Sequence, residues 1–299
     1  MKNSKWSSQD IPSQQGRTII ITGATSGLGK EATKVLASKG ATVVMAVRNT
    51  QKAEAVAKQI CGDFPNVKID IKNLDLGSLA SVKAFAEGII SEYDSIDVLI
   101  NNAGVMMCPY SKTEDGFEIQ MGVNHLGHFA LTGHLMPLLM RTKGARVVAT
   151  SSIAHKSGDI NFGDLNWETR KYKTIKAYSD SKLANLYFMY ELVKKFKGNE
   201  SAPTVTTSHP GWTKTELDRH SGLASFIGNI VAQRVEMGTL PTLRAATDLD
   251  AKSGDYFGPV GMMEIRGYPV LVPSTELARN AENAKTLWDM SERLTGMNY

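Results

Sequence analysis

The 299-residue chain carries 34 Lys and Arg against 30 Asp and Glu, a formal net charge of +4, with 42% hydrophobic residues. That balance excludes a disordered chain, and no run of Lys and Arg reaches the density of a nucleic-acid-binding arm. Two cysteines, Cys61 and Cys108, with no Cys/His spacing for zinc exclude a disulfide scaffold and offer no metal site, so a cytoplasmic protein is expected.

Residues 1–16 are polar, with Trp6 and Ile11 scattered among Ser, Gln and Lys. They lack the apolar core of a signal peptide and read as an N-terminal extension. No apolar stretch is long enough for an integral membrane segment. Residues 18–22 form a β-branched run, followed by glycines and a helical period at Leu28, Ala32, Val35 and Leu36 that stops at Gly40. Residues 41–47 predict a second strand. Residues 50–61 predict a helix with Ala53, Val56, Ala57 and Ile60 on one face. Residues 67–71 alternate as a strand. Leu79, Val82, Ala86, Ile89 and Tyr93 mark a helix, and 97–100 a fourth strand. The period then predicts a helix over 114–139, a strand at 146–150, a helix over 178–196, a strand at 204–208 and a last helix near 275–294. Repeated strand–helix units predict an α/β fold, a doubly wound parallel sheet with helices on both faces, with 17–299 as one domain. The irregular segments 154–173 and 211–235 follow strands, so both are expected over the crevice at the carboxyl ends of the sheet.

The turn Gly23-Ala24-Thr25-Ser26-Gly27-Leu28-Gly29 lies between the first strand and its helix. Glycine lets the backbone approach a pyrophosphate, and the helix N-terminus supplies free N–H groups and partial positive charge. The spacing of Gly23, Gly27 and Gly29 resembles that of the short-chain dehydrogenase/reductase superfamily. An NAD site usually has a carboxylate at the end of the second strand. Here Arg48-Asn49 stand there, and the nearest carboxylate is Glu54. A guanidinium suits the 2′-phosphate of NADP, so NADP is expected, unless Arg48 is only a solvated surface charge. Asp75-Leu76 follow the third strand, where Asp75 caps the next helix or, as the resemblance implies, bonds the adenine amine. Asn102, Ala103 and Gly104 follow the fourth strand and would pass close to the adenine ribose.

Tyr178 and Lys182 are four residues apart and so share one helix face. A free phenol titrates near ~10, and a neighbouring ammonium lowers that value toward neutrality. Ser151-Ser152 end the fifth strand, where a hydroxyl could orient a substrate oxygen. Asn124 sits inside a helical stretch that Asn disfavours, which hints at a kink and a functional contact. His209-Pro210-Gly211 end the sixth strand, and Thr213 and Thr215 follow with hydroxyls suited to a carboxamide or pyrophosphate. Neither His155 nor His209 is given a catalytic part.

Asn124, Ser152, Tyr178 and Lys182 resemble the tetrad of the short-chain dehydrogenase/reductases, and the motifs run in order from about 17 to 211. The resemblance implies Tyr178 as acid/base and Lys182 as the group that lowers its pKa and binds the nicotinamide ribose. It also implies that Ser152, the second of its pair, polarises the carbonyl and that Asn124 anchors a water in a proton relay. The segment between Ser152 and Tyr178 is longer than in most members. With Gly254-Asp255-Tyr256-Phe257-Gly258, it resembles the retinol dehydrogenase-like branch, which implies a lipophilic carbonyl or alcohol substrate.

Trp212, Leu217, Leu223, Phe226, Ile227, Ile230 and Val231 make an apolar segment, read as a small helical substrate lid over 212–237 or as a packed interface. Two other functions stay open: an NADPH-binding regulator without turnover, and a sugar-nucleotide epimerase. A homo-oligomer pairing through the helices from Glu114 and Tyr178 is also left open.

Overall fold

The computed structural model describes residues 5–213 and 232–299. Its first six strands are short; five are buried along most of their length, and the one at the sheet edge, 68–73, is only half-buried. They are β1 (Thr18–Thr22), β2 (Thr42–Val47), β3 (Lys68–Asn73), β4 (Val98–Asn101), β5 (Arg146–Thr150) and β6 (Thr204–Ser208). With β7 (Tyr256–Pro259) and β8 (Pro269–Leu271) they form one sheet in the order β3-β2-β1-β4-β5-β6-β7-β8. All pairs are parallel except β7 with β8. The parallel sheet expected from sequence therefore carries an antiparallel edge.

Alternate residues of each strand feed opposite cores. Ile19, Ile21, Val43 and Met45 pack under α1 (Gly27–Ser38) and α2 (Thr50–Asp63). Ile20, Val44, Leu99 and Val147 pack under α3 (Leu79–Glu92) and the helices beyond it. Trp6 and Ile11 are buried in the first of these cores, and the Gln14 amide donates to the Lys39 carbonyl at 2.9 Å. Two apolar side chains thus fasten a stretch that its polar composition sets apart as an extension.

The helix expected from 114 begins later. Gly116 turns with φ 85°, Lys112 and Glu118 form a β-bridge, and the Glu118 carboxylate accepts from the amides of Gln120 and Met121. The helix then runs as α4 (Ile119–Met121), a π-helical turn Gly122–Leu126, and α5 (Gly127–Arg141). Asn124 lies in the π turn, the irregularity its poor helical preference suggests. α6 (Thr174–Lys195) starts one turn before the boundary expected at 178.

A helix with no counterpart in the sequence reading, α7 (Val235–Thr247), contains Gly238 and Pro241 and packs on the first core through Leu240 and Leu243. Residues 235–237 of the expected lid are its first turn, and 214–231 lie outside the described residues. The last helix, α8 (Ala281–Thr295), starts at 281 because the Asn280 side chain caps it. It packs over α6, with Trp288 stacked on Phe188, and the Tyr299 hydroxyl donates to the Phe129 carbonyl at 2.6 Å. α6 therefore lies between the sheet and α8. Among the described residues no helix is long and apolar enough to cross a membrane.

Candidate active site

The carboxyl ends of β1 to β6 open on a cleft of about 750 Å³. Chain order reverses between β1 and β4, the place where open α/β sheets bind ligands. Gly23, Thr25, Ser26, Gly27, Leu28 and Gly29 line one wall. The turn is tight: a Cβ on Gly29 would stand 2.4 Å from the Gly23 carbonyl oxygen. Ser26 precedes α1 and makes no side-chain cap. The first amides of α1 thus face the cleft without a side-chain acceptor of their own, a donor set that fits the pyrophosphate of a dinucleotide.

Arg48 and Asn49 line the end beyond β2. Arg48 is exposed and has no ion-pair partner among the described residues, while Asn49 caps α2 by accepting from the Lys52 amide at 2.8 Å. Asp75 and Leu76 line the cleft beside them. Asp75 does not cap α3; Ser78 does, and the Asp75 carboxylate accepts from the Gly77 amide at 2.8 Å. Asn102, Ala103 and Gly104 form the floor. Thr22 Oγ1 accepts from the amides of Asn102 and Ala103, and the Asn102 side chain donates to the Thr22 carbonyl.

Tyr178, Lys182 and Pro210 close the other end. Lys182 Nζ lies 5.6 Å from the Tyr178 ring centroid and donates to the Thr150 carbonyl at 3.2 Å. Burial lowers the Lys182 ammonium to about 8. Asn185 Nδ2 shares the same carbonyl. Asn124 is fully buried behind this pair. Its side chain accepts from the Val105 amide at 2.8 Å and donates to the Val105 carbonyl and to Ser181 Oγ. Gly104 backs onto both partners: a Cβ there would lie 3.0 Å from Asn124 Oδ1 and 3.5 Å from Lys182 Nζ.

His128 ties this corner to the glycine turn. The Thr22 hydroxyl accepts two amides, so its proton points to His128 Nε2 at 2.9 Å, and His128 Nδ1 donates to the Asn124 carbonyl at 3.0 Å. Burial keeps this imidazole neutral, with its pKa lowered to about 4.

Ser151, not Ser152, contributes to the cleft wall, and its hydroxyl donates to the Lys182 carbonyl at 2.8 Å. Ser152 is half-buried next to it. Its Oγ accepts from the Ala154 amide at 3.2 Å, which leaves the hydroxyl proton available to a substrate oxygen. Gly211 and Thr213 stand outside the lining, and the Thr213 hydroxyl is turned to the Pro210 carbonyl at 2.8 Å. Thr215 lies outside the described residues.

Segment 154–173 does not line this cleft. It packs instead on the loop before α4, through Tyr172 hydroxyl to Glu118 at 2.7 Å and Lys112 to Glu168 at 2.6 Å. That loop supplies Lys112, Thr113 and Glu114 to the lining. Sequence reasoning missed these three, for which no local motif exists. It also missed Lys52, whose signal was a cation one helical turn after Arg48. Among the described residues no cluster of His, Cys, Asp and Glu is placed to hold a metal.

The comparisons with known proteins agree with this geometry. The family model for short chain dehydrogenases matches residues 17–224. Human retinol dehydrogenase 13 is 43% identical over 293 residues, covering 94% of this chain and 85% of that one. An uncharacterised protein from Mycobacterium paratuberculosis has a crystal structure that aligns with a TM-score of 0.84 at 41% identity, over 99% of both chains. A protein from Escherichia coli CFT073, described as a short chain dehydrogenase and solved with NADPH, aligns with a TM-score of 0.66 at 27% identity, over 83% of this chain and 97% of that one. A glycine turn at a sheet switch point, a buried Tyr–Lys pair and these likenesses converge: the chain belongs to the short-chain dehydrogenase family, on its retinol dehydrogenase-like branch.

Proposed function

We propose that the chain is an NADP-dependent oxidoreductase that interconverts an alcohol with an aldehyde or ketone, acting on a lipophilic substrate. The observation that carries this reading is the buried Lys182 ammonium beside the Tyr178 ring, at the end of a cleft whose opposite wall is the glycine turn. A bound nicotinamide supplies or accepts the hydride. Tyr178 gives its phenolic proton to the carbonyl oxygen in reduction and takes it back in oxidation. Lys182 stabilises the phenolate and reaches toward the ribose. The Ser152 hydroxyl donates to the substrate oxygen, and Asn124 stands behind Lys182 at the inner end of a proton path.

At the adenine end, Arg48 pairs with the 2′-phosphate and Asp75 with the adenine amine, while Asn102, Ala103 and Gly104 pass the ribose. Support for NADP comes from the Arg48 side chain in the lining and from the NADPH bound to the Escherichia coli protein. Support for a lipophilic substrate comes from the retinol named in the relatives. In this reading 17–299 is one oxidoreductase unit, and the protein works in the cytoplasm.

The test is NADPH and NADH oxidation with a panel of short and long-chain aldehydes and ketones, alongside Tyr178→Phe. Turnover is expected with NADPH, rising with chain length and lost in the variant. A fully active variant would remove Tyr178 from the chemistry, and NADH preferred over NADPH would overturn the cofactor assignment.

A further inference from the structure

Three segments converge on one carboxylate at the nicotinamide end of the cleft. Glu264, in the loop between β7 and β8, has Oε1 2.9 Å from Lys156 Nζ and Oε2 3.0 Å from His209 Nε2. Lys156 belongs to the 3₁₀ turn Ile153–Ser157, which Ser152 caps. His209 opens the turn after β6 whose Pro210 lines the cleft. One side chain therefore bridges the exits of β5 and β6.

The loop that presents it is held against its own backbone preference. Met263 and Glu264 have φ of 56° and 59°, a left-handed conformation that residues with a Cβ avoid unless their surroundings enforce it. The enforcing contacts are specific. The Ile265 carbonyl accepts from the Trp212 amide at 2.8 Å. The Gly267 amide donates to Gln233 Oε1, and Gln233 Nε2 donates to the Pro210 carbonyl at 2.7 Å. His209 is fully buried and fits only because residue 258 is glycine, where a Cβ would stand 2.1 Å from Nε2. The titratable groups facing Glu264 are Lys156 and His209. Behind them the Tyr256 ring packs against His155 and His209 at 5.7 and 5.2 Å. Gly258 and Tyr256 belong to the 254–258 motif, so that motif makes room for the clamp.

We propose that Glu264 is a positioning residue that fixes the 209–211 turn against the Ser152 segment and thereby shapes the nicotinamide end of the cleft, leaving the adenine end alone. The inference rests on the dinucleotide reading of the cleft. Arg48 and Asp75 lie at the far end and share no contact with Glu264.

The experiment compares binding of NADPH and of 2′,5′-ADP, which carries the adenine half alone, by calorimetry. Glu264→Gly removes the carboxylate and tolerates the positive φ, so the loop is not further strained. Glu264→Gln keeps the shape and removes the charge. NADPH affinity is expected to fall about tenfold in Glu264→Gly and less in Glu264→Gln, with 2′,5′-ADP affinity within about twofold of wild type. Amide hydrogen exchange at Gly211 to Thr213 should quicken in the same order. Equal weakening of both ligands, or no change in NADPH affinity with unchanged exchange, would overturn the proposal. Wild-type protein that binds neither ligand would overturn the dinucleotide reading itself, and the proposal with it.

Discussion

Replacing Lys182 by Met is expected to stabilise the fold and impair the reaction. Lys182 is 4% exposed, and burial lowers its ammonium from 10.5 to about 8. That drop is worth about 3 kcal/mol against the folded state at neutral pH. The sign follows from which state holds the proton more weakly. Above pH ~10.5 the amine is neutral folded and unfolded, and burial carries no charge penalty. As pH falls from there through 8 the penalty grows to its full size and then stays. Methionine fills a similar volume without charge. Losing the bond to the Thr150 carbonyl takes back about 1 kcal/mol. The net gain at pH 7 is therefore about 2 kcal/mol, or about 3 °C in Tm for a chain of this length, and it falls through zero to a small loss by pH ~10.5, where only the missing hydrogen bond remains. The same ammonium lies 5.6 Å from the Tyr178 ring centroid. A positive charge that close favours the phenolate over the phenol. The pH midpoint of alcohol oxidation should therefore rise when the ammonium is removed. Thermal melts across pH and a pH–rate profile with NADP⁺ check both halves. A variant less stable than wild type at pH 7, or an unmoved midpoint, would refute the reasoning.

Tyr178→Phe should lower kcat by about a thousandfold with the NADPH Kd unchanged, read by single turnover and fluorescence titration. Arg48→Asp should shift the ratio of kcat/KM values toward NADH by about a hundredfold, since it replaces a phosphate partner with a like charge; an unchanged ratio removes Arg48 from the cofactor site. Burial lowers His125 to about 3 and His128 to about 4 from the ordinary 6.5. Their stability contribution is whole above pH 6.5 and declines below it. Near pH 5 the two together make unfolding easier by about 2.7 kcal/mol per pH unit. Urea melts from pH 7 to 4.5 measure this slope, and a flat profile would show that one or both rings find a way to charge inside the fold.

Strands β1, β2, β4 and β5 were legible because they are buried on both faces and read as apolar runs, and the half-buried edge strand β3 was legible from its alternation. The glycine turn and the Tyr178/Lys182 spacing were legible because their chemistry is local. What failed was non-local. β7 ends in Gly258-Pro259 and α7 contains Gly238 and Pro241, residues that read as punctuation. Packing overrides that signal: Thr213 occupies the space a side chain at 238 would need, within 2.1 Å of a Cβ there. The helix start at Ile119 was misplaced because Phe117 keeps the helical period while Gly116 has already turned the chain. Composition and spacing do not separate Ser151 from Ser152, so the choice of Ser152 rests on the resemblance alone, and the structure shows the Ser151 hydroxyl committed to the Lys182 carbonyl. Lys112 to Glu114 enter the cleft because segment 161–174 holds their loop, a contact across more than 50 residues that no window can see.

Three places where local rules break lie together. An ammonium is buried at Lys182, a π turn interrupts the helix at Asn124, and non-glycine residues at Met263 and Glu264 take left-handed φ. Each lowers stability by itself, and none is needed to cover a sheet. All three surround the carboxyl ends of β4, β5 and β6. An NADPH sensor without turnover would need the glycine turn and the Arg48 end, but would have no use for a penalty placed beside a phenol. The location of the cost therefore favours chemistry over sensing, and the Lys182→Met variant separates the two. A sensor would gain stability and keep its response, whereas an enzyme gains stability and loses its rate.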